Sequence, residues 1–180
     1  MGLPEDLGIV VRPPGPLARF IAVTASTRGG AWVYARTLHH ADRGVRAVTR
    51  DRFVLSEALG QLPTVWLTTT GARSGQPRTV PLVGVPDGEQ LALIGSNFGG
   101  RHHPGWVHNL LADPRATVSR EGRSVAVRAQ EARAGDVERI WARARTIYRG
   151  YDLYAARTAA RTDARTIRVF VLHPDPADRR

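Results

Sequence analysis

Segment 67–82, LTTTGARSGQPRTVPL, places two arginines in a short turn between strand-forming residues. The run of Thr favours a β-strand, and strand-forming residues resume after the turn. The turn offers backbone N–H groups, a hydroxyl and two guanidiniums, which belong to Gly71, Arg73, Ser74, Gly75 and Arg78. Such groups bind phosphate or carboxylates. The segment therefore predicts an anion site, although a basic turn that simply faces solvent has the same composition.

Other chemistries lack the residues that they need. The chain has no cysteine and no serine in a G-x-S-x-G elbow, which disfavours nucleophilic catalysis by a triad. His102 and His103 are adjacent and His108 is offset from them, with no H-x-x-x-H pair, so no metal site is predicted. The dinucleotide fingerprint, the Walker loop and the known nucleic-acid motifs do not occur in the sequence, so no nucleic-acid partner is predicted.

The composition indicates a globular chain with a strongly positive field. Its 180 residues are 42% hydrophobic, and all 26 basic residues are Arg, which gives a formal net charge of +10. This charge attracts an anionic ligand, nucleic acid or an anionic membrane without choosing among them. The lack of cysteine, of a long apolar run and of a signal-peptide pattern leads us to expect a cytoplasmic protein.

The residues from Leu62 onward predict short strands joined mainly by hairpins. Strands are expected at 64–70, 78–85, 90–96, 115–120, 124–132 and 166–174, and helices at 104–114, 134–148 and 149–158. The helix at 134–148 has an apolar side formed by Val137, Ile140, Trp141, Ala144 and Ile147. Few strands alternate with full helices, so the order β-β-β-α-β-β-α-β disfavours a parallel sheet. It favours an α+β fold, a mostly antiparallel barrel with flanking helices.

Residues 1–61 differ from the rest and predict a helical N-terminal arm, followed by a domain at 62–174 and a tail at 175–180. The Pro-rich start, 4–16, is expected to be irregular, and the remainder has apolar residues at helical spacing. We favour an arm that packs on the domain. A basic amphipathic helix at a membrane surface is the alternative.

Four segments together resemble the deazaflavin-dependent nitroreductases, actinobacterial reductases that use the deazaflavin coenzyme F-420. They are LTTTGARSGQPRTVPL, IGSNFGGRHHPGWVHNLLADP, IYRGYDLYAART and TIRVFVLHP, in the family's order and covering about 62–174. The resemblance implies a split β-barrel related to flavin-binding oxidoreductases. It also implies transfer of a hydride from reduced F-420 to an electron-poor acceptor, which is a quinone, a nitro compound or an enone.

The resemblance also implies which residues bind the cofactor. Coenzyme F-420 carries a phospholactyl group and an oligoglutamate tail, and in the family the turn after the first strand holds these anionic groups. The implied cofactor-binding residues are Ala72, Arg73, Ser74, Arg78, Thr79, Val80, Pro81, Leu82, Val83, Ile94, Gly95, Ser96, Asn97, Gly105, Trp106, Val107, His108 and Asn109. Many members have two consecutive basic residues in the turn. Here Ala72 replaces one of them, so the anion site would depend on Arg73 and Arg78.

The acceptor would be bound by tyrosines. The resemblance implies substrate contacts from Tyr148, Tyr151 and Tyr154, whose spacing keeps them within one broad face of a helix. From the residues alone, an aromatic core stripe is an equal alternative. As candidate catalytic groups, Ser96 and Tyr151 could donate a hydrogen bond to charge developing on the acceptor oxygen.

Three other functions compete with this interpretation. They are an FMN-dependent split-barrel oxidoreductase, a non-catalytic protein that binds F-420, and a basic module that binds a membrane or nucleic acid through its charge. By analogy with the family, a homodimer and a peripheral membrane contact through the N-terminal arm are compatible with the sequence.

Overall fold

The computed structural model describes residues 2–10, 62–148 and 150–176, and within them four α-helices and seven β-strands. The elements are α1 (Leu3–Asp6), β1 (Thr64–Thr70), β2 (Pro77–Val83), β3 (Val85–Asp87), β4 (Gln90–Ile94), a 3₁₀ turn (Asn97–Gly99), α2 (Gly105–Ala112), β5 (Arg115–Arg120), β6 (Arg123–Glu131), α3 (Ala134–Ile147), α4 (Gly150–Ala159) and β7 (Val169–Pro174). Most of the predicted arm (residues 11–61) and of the predicted tail (177–180) lie outside the described residues.

The seven strands form one antiparallel sheet in the order β2-β1-β5-β6-β7-β4-β3. Strands β2 and β3 lie at opposite edges of this sheet, yet a single residue, Gly84, separates them along the chain. The sheet must therefore curl until its two edges approach each other. The predicted split β-barrel is confirmed.

One predicted strand was wrong in its extent. The segment expected as a strand at 78–85 divides at Gly84 into β2 and β3, which pair with different partners, β1 and β4. A Cβ atom at Gly84 would lie 2.9 Å from Leu91 Cδ1 of β4, so the chain runs close to this buried side chain where it passes from one edge to the other. A two-residue hairpin turn, Gly88 and Glu89, joins β3 to β4. Gly88 has a φ of 63°, which the primed hairpin turns require.

Strands β4 and β7 are buried on both faces and separate two apolar clusters. In β4, Leu91 and Leu93 face the inside of the barrel, whereas Ala92 and Ile94 face the opposite side. We call the inside cluster the inner core; its buried members are Leu3, Leu7, Val65, Leu67, Leu91, Leu93, Trp106, Val107, Leu110, Val118, Val127, Ala129, Phe170 and Leu172. Because both faces of these strands are buried, their consecutive residues are apolar.

Helices α3 and α4 cover the outer face of these strands and form the outer core. Its buried members are Val85, Ala92, Ile94, Ile140, Ala144, Tyr151, Tyr154, Val169 and Val171. The predicted apolar side of α3 is confirmed, since Ile140 and Ala144 are buried and Val137, Trp141 and Ile147 pack against them. None of the helices among the described residues is both long and apolar enough to cross a bilayer.

The first described residues of the predicted arm pack into the barrel. Leu3 and Leu7 are fully buried in the inner core, and the Leu3 N–H donates to Glu89 O at 2.8 Å. Arg120 Nη1 donates to Gly8 O at 2.9 Å, which fixes the end of the same segment. The expectation of irregular chain here was incomplete, because residues 3–6 form a helical turn that places two leucines in the core.

A buried carboxylate attaches α3 to the edge strand β3. The Asp87 side chain is 2% exposed and forms ion pairs with Arg139 and Arg143 of α3. Arg143 Nη1 also donates to Pro86 O at 3.1 Å. Arg139 forms a second ion pair with Asp136 on the same helix, but that carboxylate is exposed. Burial makes the Asp87 contacts worth more than the Asp136 contact.

We expect Asp87→Asn to lower the free energy of unfolding by about 1–3 kcal/mol, because an amide cannot replace charge-assisted hydrogen bonds in a buried position. Urea denaturation measures this change. Asp136→Asn is the matched control, since it removes a carboxylate from the same arginine at the surface and should cause a much smaller change. Equal effects of the two substitutions would contradict the assigned role of Asp87.

Candidate functional site

The turn that joins β1 to β2 is held in a compact shape by its glycines and its own backbone. The Gly71 N–H donates to Gln76 O at 2.9 Å, and the Gly75 N–H donates to Gly71 O at 2.8 Å. A Cβ atom at Gly71 would lie 2.6 Å from Ser74 Oγ, and Gly75 has a φ of 65°. The turn therefore requires glycine at both positions. We call residues 71–78 the basic turn.

The guanidiniums of the two arginines of the basic turn are exposed and form no hydrogen bond or ion pair with any other described residue. Many other arginines are paired with carboxylates, among them Arg101, Arg115, Arg139, Arg145, Arg161 and Arg168. Within the described ranges no carboxylate neutralises the guanidiniums of Arg73 and Arg78, and their binding of an anionic ligand stays a prediction.

Asn109 ties the basic turn to α2. Its Oδ1 accepts a hydrogen bond from the Ala72 N–H at 3.0 Å, and its Nδ2 donates to Thr69 Oγ1 at 2.9 Å. The sequence places Asn109 among the cofactor residues. In the structure both the oxygen and the nitrogen of its amide form hydrogen bonds, with the turn and with the end of β1. Asn109 therefore holds the turn in position against α2.

Strand β2 carries the next predicted cofactor residues, Thr79 to Val83, along an edge of the sheet. Thr79 Oγ1 lies 2.9 Å from Thr68 Oγ1 of β1, and the Val80 and Leu82 side chains pack against the inner core. Pro77 and Pro81 lack backbone N–H groups, which suits a strand at an edge. Backbone groups on the outer side of β2 can therefore reach a ligand.

The loop after β4 is buried at its start and left-handed beyond it. Ile94, Gly95 and Ser96 are buried, and a Cβ atom at Gly95 would lie 2.9 Å from Val107 Cγ2 of α2. Asn97, Phe98 and Gly99 then have φ angles of 47°, 54° and 76°. Two of these are not glycine, so the loop holds a backbone conformation that is unfavourable by itself.

The left-handed residues also make specific contacts. Asn97 Nδ2 donates to His102 O at 2.9 Å. The Phe98 ring is 49% exposed and meets the Tyr154 ring edge to face, with 5.6 Å between centroids. Phe98 therefore lies at the surface beside α4.

Arg165 is a residue of the site that the sequence did not indicate. Its guanidinium donates to Gly95 O, Ser96 O, Gly100 O and His103 Nδ1, at distances from 2.8 to 3.3 Å. Partial burial lowers the pKa of Arg165. No motif marks an arginine that binds carbonyls some 65–70 positions earlier in the chain, so the sequence carried no signal for it.

Helix α2 divides its predicted cofactor residues into two groups. Trp106 and Val107 are buried in the inner core, and the Trp106 ring meets Phe170 with 5.8 Å between centroids. Gly105 and His108 are exposed. The side chains of Trp106 and Val107 thus support the barrel, and the exposed positions are the ones open to a ligand.

The three predicted substrate tyrosines form a cluster between α3 and α4. Tyr148 OH lies 3.1 Å from Tyr154 OH, and the three ring centroids are 5.9 to 6.2 Å apart. Burial raises the pKa of Tyr151 and of Tyr154, with a further contribution from Tyr148. Both hydroxyls therefore remain protonated at neutral pH and able to donate. We call these three residues the tyrosine cluster.

Direct contacts link all of these parts into one site. Asn109 joins the basic turn to α2, and Val107 of α2 packs on Gly95 of the loop. Phe98 of the same loop contacts Tyr154 of the tyrosine cluster. The structure thus brings together the basic turn, a loop with left-handed backbone angles and the tyrosine cluster.

His103 lies at the end of this loop, and its pKa is lowered. Partial burial is the first cause that lowers its pKa, followed by the guanidiniums of Arg165 and Arg168 and by His108; Glu131 acts in the opposite direction. The His103 and His108 rings lie 5.9 Å apart. A neutral His103 accepts a hydrogen bond from Arg165 at Nδ1, which a protonated ring could not do. Across the described parts of the chain, no three possible ligands group as a metal site.

Comparison with known proteins identifies relatives along most of the chain. The model of the F420H(2)-dependent quinone reductase family matches residues 42–174, from within the predicted arm to the last residue of β7. An F420H(2)-dependent quinone reductase of Mycobacterium tuberculosis (strain ATCC 25618 / H37Rv) is 34% identical over 84 residues, which are 46% of this chain and 56% of that protein. The matched part is thus little more than half of that relative's length.

Two solved structures share the fold. One, described as an F420-H2 dependent reductase, is 34% identical with a TM-score of 0.54, and the match covers 62% of this chain and 94% of that one. The other, described as a domain-swapped dimer, is 30% identical with a TM-score of 0.56, and the match covers 81% of this chain and 99% of that one.

We expect the folded protein to lose stability as the pH falls below about 6.5, the ordinary pKa of His. The unfolded chain takes up a proton on His103 in this range, whereas the folded protein keeps the ring neutral to lower pH, so acid favours unfolding. Urea denaturation of the protein and of His103→Gln at several pH values measures the effect. The amide oxygen of Gln accepts from Arg165 without titrating, so this variant should depend less on pH. Equal pH dependence would contradict the role of His103.

Proposed function

The chain belongs to the F420H(2)-dependent quinone reductase family, and on that basis we propose that it binds coenzyme F-420 and reduces an electron-poor acceptor by hydride transfer. One observation carries this proposal: two exposed guanidiniums without partners among the described residues lie on a turn whose backbone is already fixed. A polyanionic cofactor supplies the charge that this turn lacks.

The residues fit the chemistry of this cofactor. Arg73 and Arg78 would hold its phosphate and glutamate groups by charge-assisted hydrogen bonds. The backbone of β2 and the segment from Ile94 to Asn97 would line its ring system. Because Asn109 and the two glycines fix the turn beforehand, binding requires little ordering of the chain.

The protein's contribution to the reaction is positioning and hydrogen bonding. When bound, reduced F-420 supplies a hydride from C5 of its deazaflavin ring. The tyrosine cluster and Phe98 would orient the acceptor and exclude water, which is a large part of the rate gain in such reactions. Tyr151 or Ser96 would donate a hydrogen bond to the acceptor oxygen as negative charge develops there.

We propose a quinone, a nitro compound or an enone as the acceptor. All three have an oxygen that accepts a hydrogen bond and a π-system that an aromatic surface can contact. The name of the mycobacterial relative supports a quinone first. We also propose a homodimer, because a relative of the same fold is described as a domain-swapped dimer.

Turnover of reduced F-420 with a panel of these acceptors tests the proposed reaction. Oxidation of reduced F-420 by at least one acceptor is the expected result. Binding of F-420 without turnover by any acceptor would favour a non-catalytic F-420-binding protein. Tighter binding of FMN than of F-420, measured by fluorescence quenching, would favour a flavin enzyme.

We expect Arg73→Gln combined with Arg78→Gln to weaken F-420 binding by about 100-fold or more. Each lost contact to a charged group is worth about 1.5–3 kcal/mol, and about 1.4 kcal/mol corresponds to tenfold in affinity. Quenching of cofactor fluorescence at a fixed ionic strength gives the dissociation constants.

The control for this pair is Arg128→Gln combined with Arg133→Gln. Both arginines are exposed, one on β6 and one just before α3, so the net charge falls by the same amount. This control should change the affinity by no more than about threefold, which is a general field effect. Similar losses in the two double variants would show that overall charge, rather than the basic turn, attracts the cofactor.

We expect Tyr151→Phe to lower turnover by about tenfold and to leave F-420 affinity nearly unchanged. The phenyl ring keeps the packing against Trp141 and Tyr148 but cannot donate to the acceptor oxygen. Steady-state kinetics and the fluorescence titration separate the two effects. Tyr151→Leu, which also removes the ring, should lose stability as well. Loss of F-420 affinity with turnover retained would contradict a substrate role for this hydroxyl.

A further inference from the structure

One guanidinium holds both ends of the loop formed by residues 95–103. Arg165, which precedes β7, donates from Nη1 to Gly95 O at 3.1 Å and from Nη2 to Ser96 O at 2.8 Å. Its Nε donates to Gly100 O at 3.2 Å, and Nη1 also lies 3.3 Å from His103 Nδ1. The planar fork of arginine can reach these diverging acceptors together, whereas an ammonium group cannot.

The loop needs such support because its backbone is unfavourable by itself. Asn97 and Phe98 both have left-handed backbone angles, which non-glycine residues rarely adopt. The 3₁₀ turn that contains them has few internal hydrogen bonds, from the Gly99 N–H to Ser96 O and from the Gly100 N–H to Asn97 O. The side chain of Arg165 therefore supplies four hydrogen bonds to the loop, against two from the backbone of the 3₁₀ turn.

Arg165 differs from most arginines that have partners here. No carboxylate within the described ranges forms an ion pair with it, and its hydrogen bonds go to carbonyl oxygens and an imidazole. Carbonyl oxygens have no net charge, so their hydrogen bonds to a guanidinium depend on distance and direction rather than on ion pairing. The arrangement thus fixes the positions of the loop carbonyls rather than neutralising a carboxylate.

The loop that Arg165 fixes carries Ser96 and Phe98, which we place on the acceptor side of the site. Its first residues would also line the ring of F-420, whereas the basic turn would hold the charged groups of that cofactor. Ser96 accepts from Arg165 through its own carbonyl, and Phe98 meets the Tyr154 ring edge to face. The basic turn is fixed separately, by Asn109 and Thr69. The hydrogen bonds of Arg165 to described residues do not involve this turn. Release of the loop would therefore disturb the acceptor side and leave the anion-binding turn in place.

We propose that Arg165 is a positioning residue for the electron acceptor: by holding the carbonyls of Gly95, Ser96 and Gly100, it fixes the position of Ser96 and holds Phe98 against Tyr154 of the tyrosine cluster. This role rests on the proposed reductase function. It predicts that removing the fork raises the KM for the acceptor and lowers kcat while F-420 is still bound.

Three variants test the role. Arg165→Gln removes the charge and the fork, and Arg165→Lys keeps the charge without the fork. Arg168→Gln is the matched control, because Arg168 lies in the same segment and its side chain pairs with exposed Glu131. All three are compared in hydrogen exchange of backbone amides, in F-420 titration and in kinetics with the best acceptor found.

In both Arg165 variants we expect exchange across residues 96–103 to rise by about tenfold, with exchange in the basic turn unchanged. Their kcat/KM for the acceptor should fall by about 10- to 100-fold, and their F-420 affinity should stay within about threefold. Arg168→Gln should leave all three quantities near their original values.

Two kinds of result would overturn the proposal. Unchanged exchange in the loop would show that Arg165 does not hold it, and full activity of Arg165→Lys would show that charge rather than the fork matters. Loss of F-420 affinity with the acceptor KM retained would move the residue to the cofactor side. If the unaltered protein fails to oxidise reduced F-420 with every acceptor, the proposed function fails and the acceptor role with it. Increased loop exchange in Arg165→Gln would then still establish the structural contact.

Discussion

The connection between β2 and β3 through Gly84 is the constraint on which the rest of the barrel depends. These strands lie at opposite edges of the sheet, so one residue of chain can join them only if the edges meet. The absence of a side chain at Gly84 permits the close contact with Leu91 that this requires. Curling the sheet creates an enclosed interior, into which Leu3, Leu7 and Trp106 pack. It also places α2 where it contacts both the basic turn and the loop after β4.

Strands β4 and β7 connect the barrel to the candidate site because both of their faces are buried. Leu93 and Phe170 pack inside the barrel, while Ile94 and Val169 pack under α3 and α4. The tyrosine cluster is therefore seated on strands that the inner core already holds. The loop 95–103 begins where β4 ends, so its first residues inherit the position of a rigid strand. The basic turn, the loop 95–103 and the tyrosine cluster are therefore turns and helices attached to this frame.

What could be predicted from the sequence was what depends on local pattern. Alternation and turn residues predicted most strands, and helical spacing predicted the apolar side of α3. The composition of 71–78 predicted an exposed basic turn, whose binding of an anion stays a prediction. The division of a predicted strand at Gly84 could not be predicted, because it follows from which edges meet. Leu3 and Leu7 looked like part of an irregular arm, since their burial depends on a barrel formed by residues far along the chain. Arg165 was missed for the same reason.

The arginines show why charge alone does not identify the site. The chain has 26 basic and 16 acidic residues, so arginines outnumber the carboxylates, and a carboxylate such as Asp87 pairs with two of them. Arg73 and Arg78 are distinguished by a backbone that Gly71, Gly75 and Asn109 fix in advance. Arg165 is distinguished by its carbonyl partners, which fix a loop instead of binding a ligand. Arg139 stabilises the fold through buried Asp87. One residue type thus serves three purposes here, and the partner of each guanidinium decides which.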